Sequence, residues 1–240
     1  MFWRRETTPA AVSSTAFDLP PPAPPTGRVG MPSILFLGDS NTEIASHPDT
    51  LGFQVRFTQD YARKADTINR GNSGWNTRFW LKNLDRLVAE WMARPPSLVL
   101  VMLGTNDACA ADGTIAWAHV PLDEFKSNLN ALASAFQSSW GSRVLFVTAL
   151  PFDDNSSKWH GSRTNADAGK YAAAMVALGQ QIGVPVLDLW TPLQDSIATI
   201  FYDGLHLNRD GNVQVHMRMR AAIASAFPDL APESLPIYYP

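Results

Sequence analysis

The segment Leu98-Val99-Leu100-Val101-Met102-Leu103 is apolar at every position. A strand with one wet face alternates apolar and polar side chains, so a run without that alternation has to be buried on both faces. A parallel sheet covered by helices on both sides meets that requirement. From Ser33 onward the chain keeps the same rhythm. Ile34–Leu37, Asp66–Asn69, Arg143–Leu150 and Val184–Leu189 are further short β-rich runs. Between them, Leu122, Phe125, Leu129, Leu132 and Phe136 fall on one face of a helix, as do Trp80, Leu84, Leu87 and Trp91. Helical patterns also cover Leu51–Lys64, Asn165–Ile182 and Asp210–Phe227. Strand, helix, strand in regular order implies a parallel sheet with helices on both faces. The expected fold is α/β: a three-layer α/β/α sandwich with a mainly parallel sheet of about five strands.

Composition narrows the function classes. With 240 residues, 45% of them hydrophobic and 17% charged, the chain has enough apolar material for a full core and is not a disordered sequence. A formal charge of −3 supplies no basic footprint for nucleic acid or anionic lipid. The longest uninterrupted apolar run, Tyr171 to Leu178, is far short of the roughly 18 residues that a membrane span needs. One cysteine, Cys109, excludes an internal disulfide and a cysteine-rich zinc site. Residues 1–30 differ from the rest: they hold six of the eighteen prolines, show no apolar periodicity and carry no secretory h-region. They read as a disordered proline-rich leader before a domain over 31–227, and a cytoplasmic location is expected. The tail 228–240 carries Leu230, Leu235 and Ile237, which have to cover the domain or a neighbouring subunit.

In open parallel sheets the ligand site lies beyond the carboxyl ends of the strands. The residues following the strand runs are Gly38-Asp39-Ser40-Asn41, then Gly71-Asn72-Ser73-Gly74-Trp75, then Gly104-Thr105-Asn106-Asp107, and past the last strand Asp203-Gly204-Leu205-His206. Each type has a task in acyl transfer. Ser40 is a nucleophile that needs a base, and His206 is that base. Asp203, three residues earlier, can fix the imidazole tautomer and stabilise its cation. The Ser40 amide, the Gly74 amide and the Asn106 carboxamide are candidate donors to a tetrahedral oxyanion. Any one block alone is a common turn; their joint order, each at a strand end, is what argues for chemistry. Such chemistry requires no cofactor and no metal, and none is expected.

These four blocks resemble those of the GDSL, or SGNH, hydrolases. The likeness is closest to the isoamyl-acetate-hydrolysing esterase subfamily and covers nearly all of residues 33–227. Arg70–Arg78, Asn106–Cys109, His119–Phe125 and Asp203–His206 carry it. The resemblance implies the flavodoxin-like SGNH fold, a Ser40–His206–Asp203 triad, an oxyanion hole of Ser40, Gly74 and Asn106, and a homodimer. Asn41 departs from it, because the family usually has leucine or isoleucine after the serine; a polar residue there bears on the acyl-side wall. Two long connections on the rim, Gly104–Val120 and Pro151–Arg163, carry Trp117, Phe152 and Trp159, and Trp75 follows the oxyanion glycine. With Asn41 these are the expected substrate-binding residues. They suit a small alkyl ester, and the resemblance points to short-chain acetate esters. The alternatives are an acetylesterase on acetylated saccharides, a lysophospholipase or thioesterase, and a non-catalytic small-ligand module on the same fold.

Overall fold

The computed structural model describes residues 30–238. The proline-rich leader expected over 1–30 therefore lies outside the described residues, except for its last glycine. Five strands form one sheet: β1 (Ser33–Gly38), β2 (Asp66–Gly71), β3 (Leu98–Met102), β4 (Arg143–Val147) and β5 (Val186–Leu187). Their order is β2-β1-β3-β4-β5 and every pairing is parallel. The helices are α1 (Ser40–Ile44), α2 (Phe53–Asp60), α3 (Thr77–Lys82), α4 (Leu84–Trp91), α5 (Leu122–Trp140), α6 (Asn165–Ile182), α7 (Ile197–Ile200) and α8 (Arg209–Ala226). The three-layer α/β sandwich expected from the sequence is the observed architecture.

Both faces of the sheet are dry, which is why its central strands show no polar alternation. Ile34, Phe36, Leu98, Leu100, Met102, Leu145 and Val147 join a cluster with Phe53 and Phe57 of α2 and Val215, Met219 and Ile223 of α8. Their neighbours Leu35, Leu37, Val99, Val101, Val144 and Phe146 point the other way, into a second cluster with Trp80, Leu87, Phe125, Leu129 and Met175. A substitution from either register therefore opens a cavity in a different layer. The tail belongs to the first cluster: Leu230 and Leu235 are buried in it, and the Tyr61 hydroxyl donates to the Leu230 carbonyl at 2.8 Å. Among the described residues no helix is long and apolar enough to cross a membrane.

Several element boundaries differ from the periodicity: the helical pattern over Leu51–Lys64, for one, is α-helix only over Phe53–Asp60. The pattern of Trp80, Leu84, Leu87 and Trp91 is carried by two helices, because Asn83 leaves helical geometry at φ −108° and its carboxamide donates to the Phe79 carbonyl at 2.9 Å. Asparagine offers the backbone a local bond that competes with the helix ladder. β4 stops at Val147, after which the Thr148 hydroxyl accepts from the backbone of Leu189 at 2.9 Å. β5 is two residues long rather than the six of Val184–Leu189, and Pro185 has no N–H to extend it.

Candidate active site

The carboxyl end of the sheet collects the four sequence blocks. β1 ends at Gly38, and Asp39 caps α1, its Oδ1 accepting from the Asn41 amide at 2.9 Å. Ser40 is thereby the first residue of α1, and a helix offers the amide of its first residue no internal acceptor. The Ser40 hydroxyl and the His206 Nε2 are 2.9 Å apart, and the other ring nitrogen, Nδ1, lies 2.9 Å from Asp203 Oδ2. An ionised carboxylate only accepts, so Nδ1 carries the proton and Nε2 is left to accept from the serine. Both the serine and the imidazole are largely buried, which keeps these bonds out of competition with bulk water.

Asp203 is held on every side. Its Oδ1 accepts from the amides of Leu205 at 3.1 Å and His206 at 2.8 Å, and its Oδ2 accepts from His206 and also from Lys158 Nζ at 2.9 Å. Burial alone would raise this carboxyl; the Lys158 ammonium and the His206 bonds more than offset it, so it lies well below the ordinary carboxylate range. The turn is built for close approach. Gly204 has φ 86°, and a Cβ there would lie 2.5 Å from the Cβ of Ser156.

The two remaining blocks converge beside the serine loop. Gly74 takes φ 78° in a turn closed by the bond from the Trp75 amide to the Asn72 carbonyl at 3.1 Å. Asn106 donates one amide proton to the Trp75 carbonyl at 2.7 Å, tying the end of β3 to that turn. A carboxamide nitrogen has a second proton, which remains for a ligand. Asp107 fixes the same region from below: its Oδ1 accepts from the Thr77 amide at 3.0 Å and hydroxyl at 2.5 Å, at the start of α3.

The expected substrate-binding residues separate into three groups. Asn41 is turned inward: its Nδ2 donates to the Leu205 carbonyl and its Oδ1 accepts from the Leu207 amide, both at 3.3 Å. Its amide thus brackets His206 from the nucleophile side. Phe152 is buried, with its amide donating to Asn165 Oδ1 at 3.1 Å. Trp75 packs edge-on against Trp80, with ring centroids 4.7 Å apart. Trp117 and Trp159 reach the site. The Trp117 Cη2 stands 3.4 Å from where a Gly74 Cβ would be, and Trp159 meets the His206 ring at 5.6 Å. Residue types alone pointed to neither Tyr202, stacked on His206 at 5.7 Å, nor Lys158, because the sequence gives no contact between those loops.

Asp107 carries an electrostatic cost. Burial pushes its carboxyl up to about 7 against the bonds from Thr77, with the nearby charge of Asp39 adding to the rise, and its Oδ2 has no hydrogen-bond partner. An ordinary carboxyl loses its proton near pH 4. Between about pH 4 and 7 the folded chain thus holds a proton that the unfolded chain has released, and stability falls as pH rises through that window. Asp107→Asn keeps an oxygen for Thr77 and removes the charge. Its stabilisation in urea titrations should be greater at pH 8 than at pH 4.5 by about 1–3 kcal/mol. An equal effect at the two pH values would show that Asp107 is not charged at a cost.

Comparison with known proteins shows the family and the fold. The model of the GDSL-like lipase/acylhydrolase family matches residues 36–213. A GDSL esterase/lipase of Arabidopsis thaliana is 34% identical over 195 residues, 75% of this chain and 80% of that protein. The isoamyl acetate-hydrolyzing esterase 1 homolog of Homo sapiens is 32% identical over 195 residues, 75% of this chain and 77% of that one. Among solved structures, a lipase/acylhydrolase from Enterococcus faecalis superposes with a TM-score of 0.63 at 22% identity, over 81% of this chain and 96% of that one. At that identity the likeness concerns the fold.

Proposed function

The chain belongs to the GDSL-like lipase/acylhydrolase family and is a carboxylic ester hydrolase, and on that premise we propose that it cleaves short-chain acetate esters through an acyl-enzyme on Ser40. The observation that carries the reading is the continuous bond chain Asp203–His206–Ser40, each link 2.9 Å. In the first half-reaction the Ser40 Oγ adds to the ester carbonyl while His206 Nε2 takes its proton. The ionised Asp203 holds the imidazole in the required tautomer and stabilises the imidazolium. As the carbonyl oxygen becomes negative, the amides of Ser40 and Gly74 and the second proton of Asn106 donate to it. The tetrahedral adduct collapses, His206 returns the proton to the departing alcohol, and an acetyl-serine remains. Water then repeats the sequence with His206 as base, releasing acetate and restoring the serine.

The substrate class rests on what borders the serine and histidine. Trp117 beside Gly74, and Trp159 and Tyr202 against His206, present aromatic surface on which an alkyl alcohol is buried favourably. The human relative named for isoamyl acetate is consistent with that choice. A panel of esters varying acyl and alcohol length independently tests it. With isoamyl alcohol fixed, kcat/KM should be highest for acetate and fall by about tenfold or more on lengthening to hexanoate. Faster turnover of acetylated xylose than of isoamyl acetate would favour the saccharide reading, and a rise with acyl length would favour a lysophospholipase or thioesterase.

A further inference from the structure

The loop between β4 and α6 is fastened to the turn that carries Asp203 and His206. The Asp153 amide donates to the Gly204 carbonyl at 3.0 Å, and the Ser156 hydroxyl donates to the Asp203 carbonyl at 2.6 Å. Its third attachment is ionic. Lys158 Nζ lies 2.9 Å from Asp203 Oδ2, the same oxygen that binds the imidazole Nδ1. The Asp203 side chain is buried while that of the lysine is 59% exposed, and Nζ also sits 5.1 Å over the Trp159 ring that meets His206. The ammonium therefore shares one carboxylate oxygen with the catalytic imidazole.

That sharing has a definite sign. When the imidazole is neutral, Lys158 and Asp203 together present a balanced pair behind it. When the imidazole takes a proton, the carboxylate attracts it but the ammonium, one oxygen away, repels it. We propose that Lys158 is a positioning residue that keeps His206 available as a base at lower pH by sharing the Asp203 carboxylate. The inference rests on the triad reading above. The other groups facing the imidazole are Ser40 and buried Asp39 from the nucleophile end, Asp203 and Tyr202 from its own turn, and Arg163 stacked over Trp159. None of them changes in the following series.

The test is a charge series at position 158, read as the acid limb of kcat/KM for isoamyl acetate, with active sites counted by a covalent serine reagent. Lys158→Arg keeps the cation and should retain the wild-type limb. Lys158→Gln should move the limb to higher pH by about half to one unit, and Lys158→Glu should move it further. A purely structural role of the loop would lower the count of active sites and leave the limb where it is. Limbs of the Gln and Glu variants that coincide with wild type would overturn the role of Lys158. Ser40→Ala is measured alongside: if it is inactive in that case, the triad reading stands without Lys158. Turnover by Ser40→Ala would instead remove the triad reading on which the inference rests.

Discussion

Ser40→Ala should lower kcat by about four to six orders of magnitude, and His206→Ala should do nearly as much damage. The geometry makes the two residues one device. The serine hydroxyl is a weak nucleophile until the imidazole 2.9 Å away takes its proton. Once either member is absent, the other has no remaining part in that step. The double variant should therefore be little worse than either single one, and the residual rate should reflect binding and the oxyanion donors. Ser40→Ala removes a single hydroxyl and should move the melting temperature little, whereas His206→Ala also empties a buried ring packed against Trp159 and Tyr202 and takes a partner from Asp203, so its rate is referred to folded protein. Single-turnover kinetics with a chromogenic acetate ester would read the acylation step directly. Losses that multiply in the double variant would mean that Ser40 and His206 act in separate steps.

Asn106→Ala is the second large effect, about a hundred- to a thousandfold in kcat with a modest change in KM. A donor to the oxyanion is worth most when the negative charge has developed, so its loss falls on the transition state and not on ground-state binding. The bond from Asn106 to the Trp75 carbonyl at 2.7 Å aims the carboxamide before substrate arrives, which is the preorganisation that gives such donors their weight. Asn106→Asp should be at least as damaging, because a carboxylate would face the oxyanion with like charge and repel the Trp75 carbonyl. Both variants also lose the tie between β3 and the Gly74 turn and should be less stable. For that reason kcat is referred to titrated active sites. Near-native turnover per site in Asn106→Ala would limit Asn106 to shaping its turn.

Much of this molecule was legible in one dimension. The unbroken apolar runs of β1, β3 and β4 determine a sheet buried on both faces, since no polar alternation is available to wet either side. A parallel sheet then brings the ends of its strands to one edge, so residues 40, 74, 106 and 203–206 had to lie near each other wherever the chain folded this way. The Asp-x-x-His spacing is short enough that the turn itself delivers the carboxylate to the imidazole. These inferences needed only periodicity and local reach.

Only the tertiary structure decided what depends on packing between distant segments. Asn41 follows the serine in sequence, but its amide lies between the Leu205 and Leu207 backbones, 164 and 166 residues away. Phe152 sits on a rim loop yet is buried beneath it, whereas Trp117 on the other loop is 62% exposed. Nothing in residue type distinguishes these aromatics; the docking of each loop does. Lys158 is an ordinary lysine in a polar stretch until Asp153 and Ser156 fasten its loop to the Asp203 turn. Sequence patterns record which side chains an element buries, because that preference repeats along the chain. A single contact between two loops has no repeat, and its energy is set only when both backbones have been placed by the sheet beneath them.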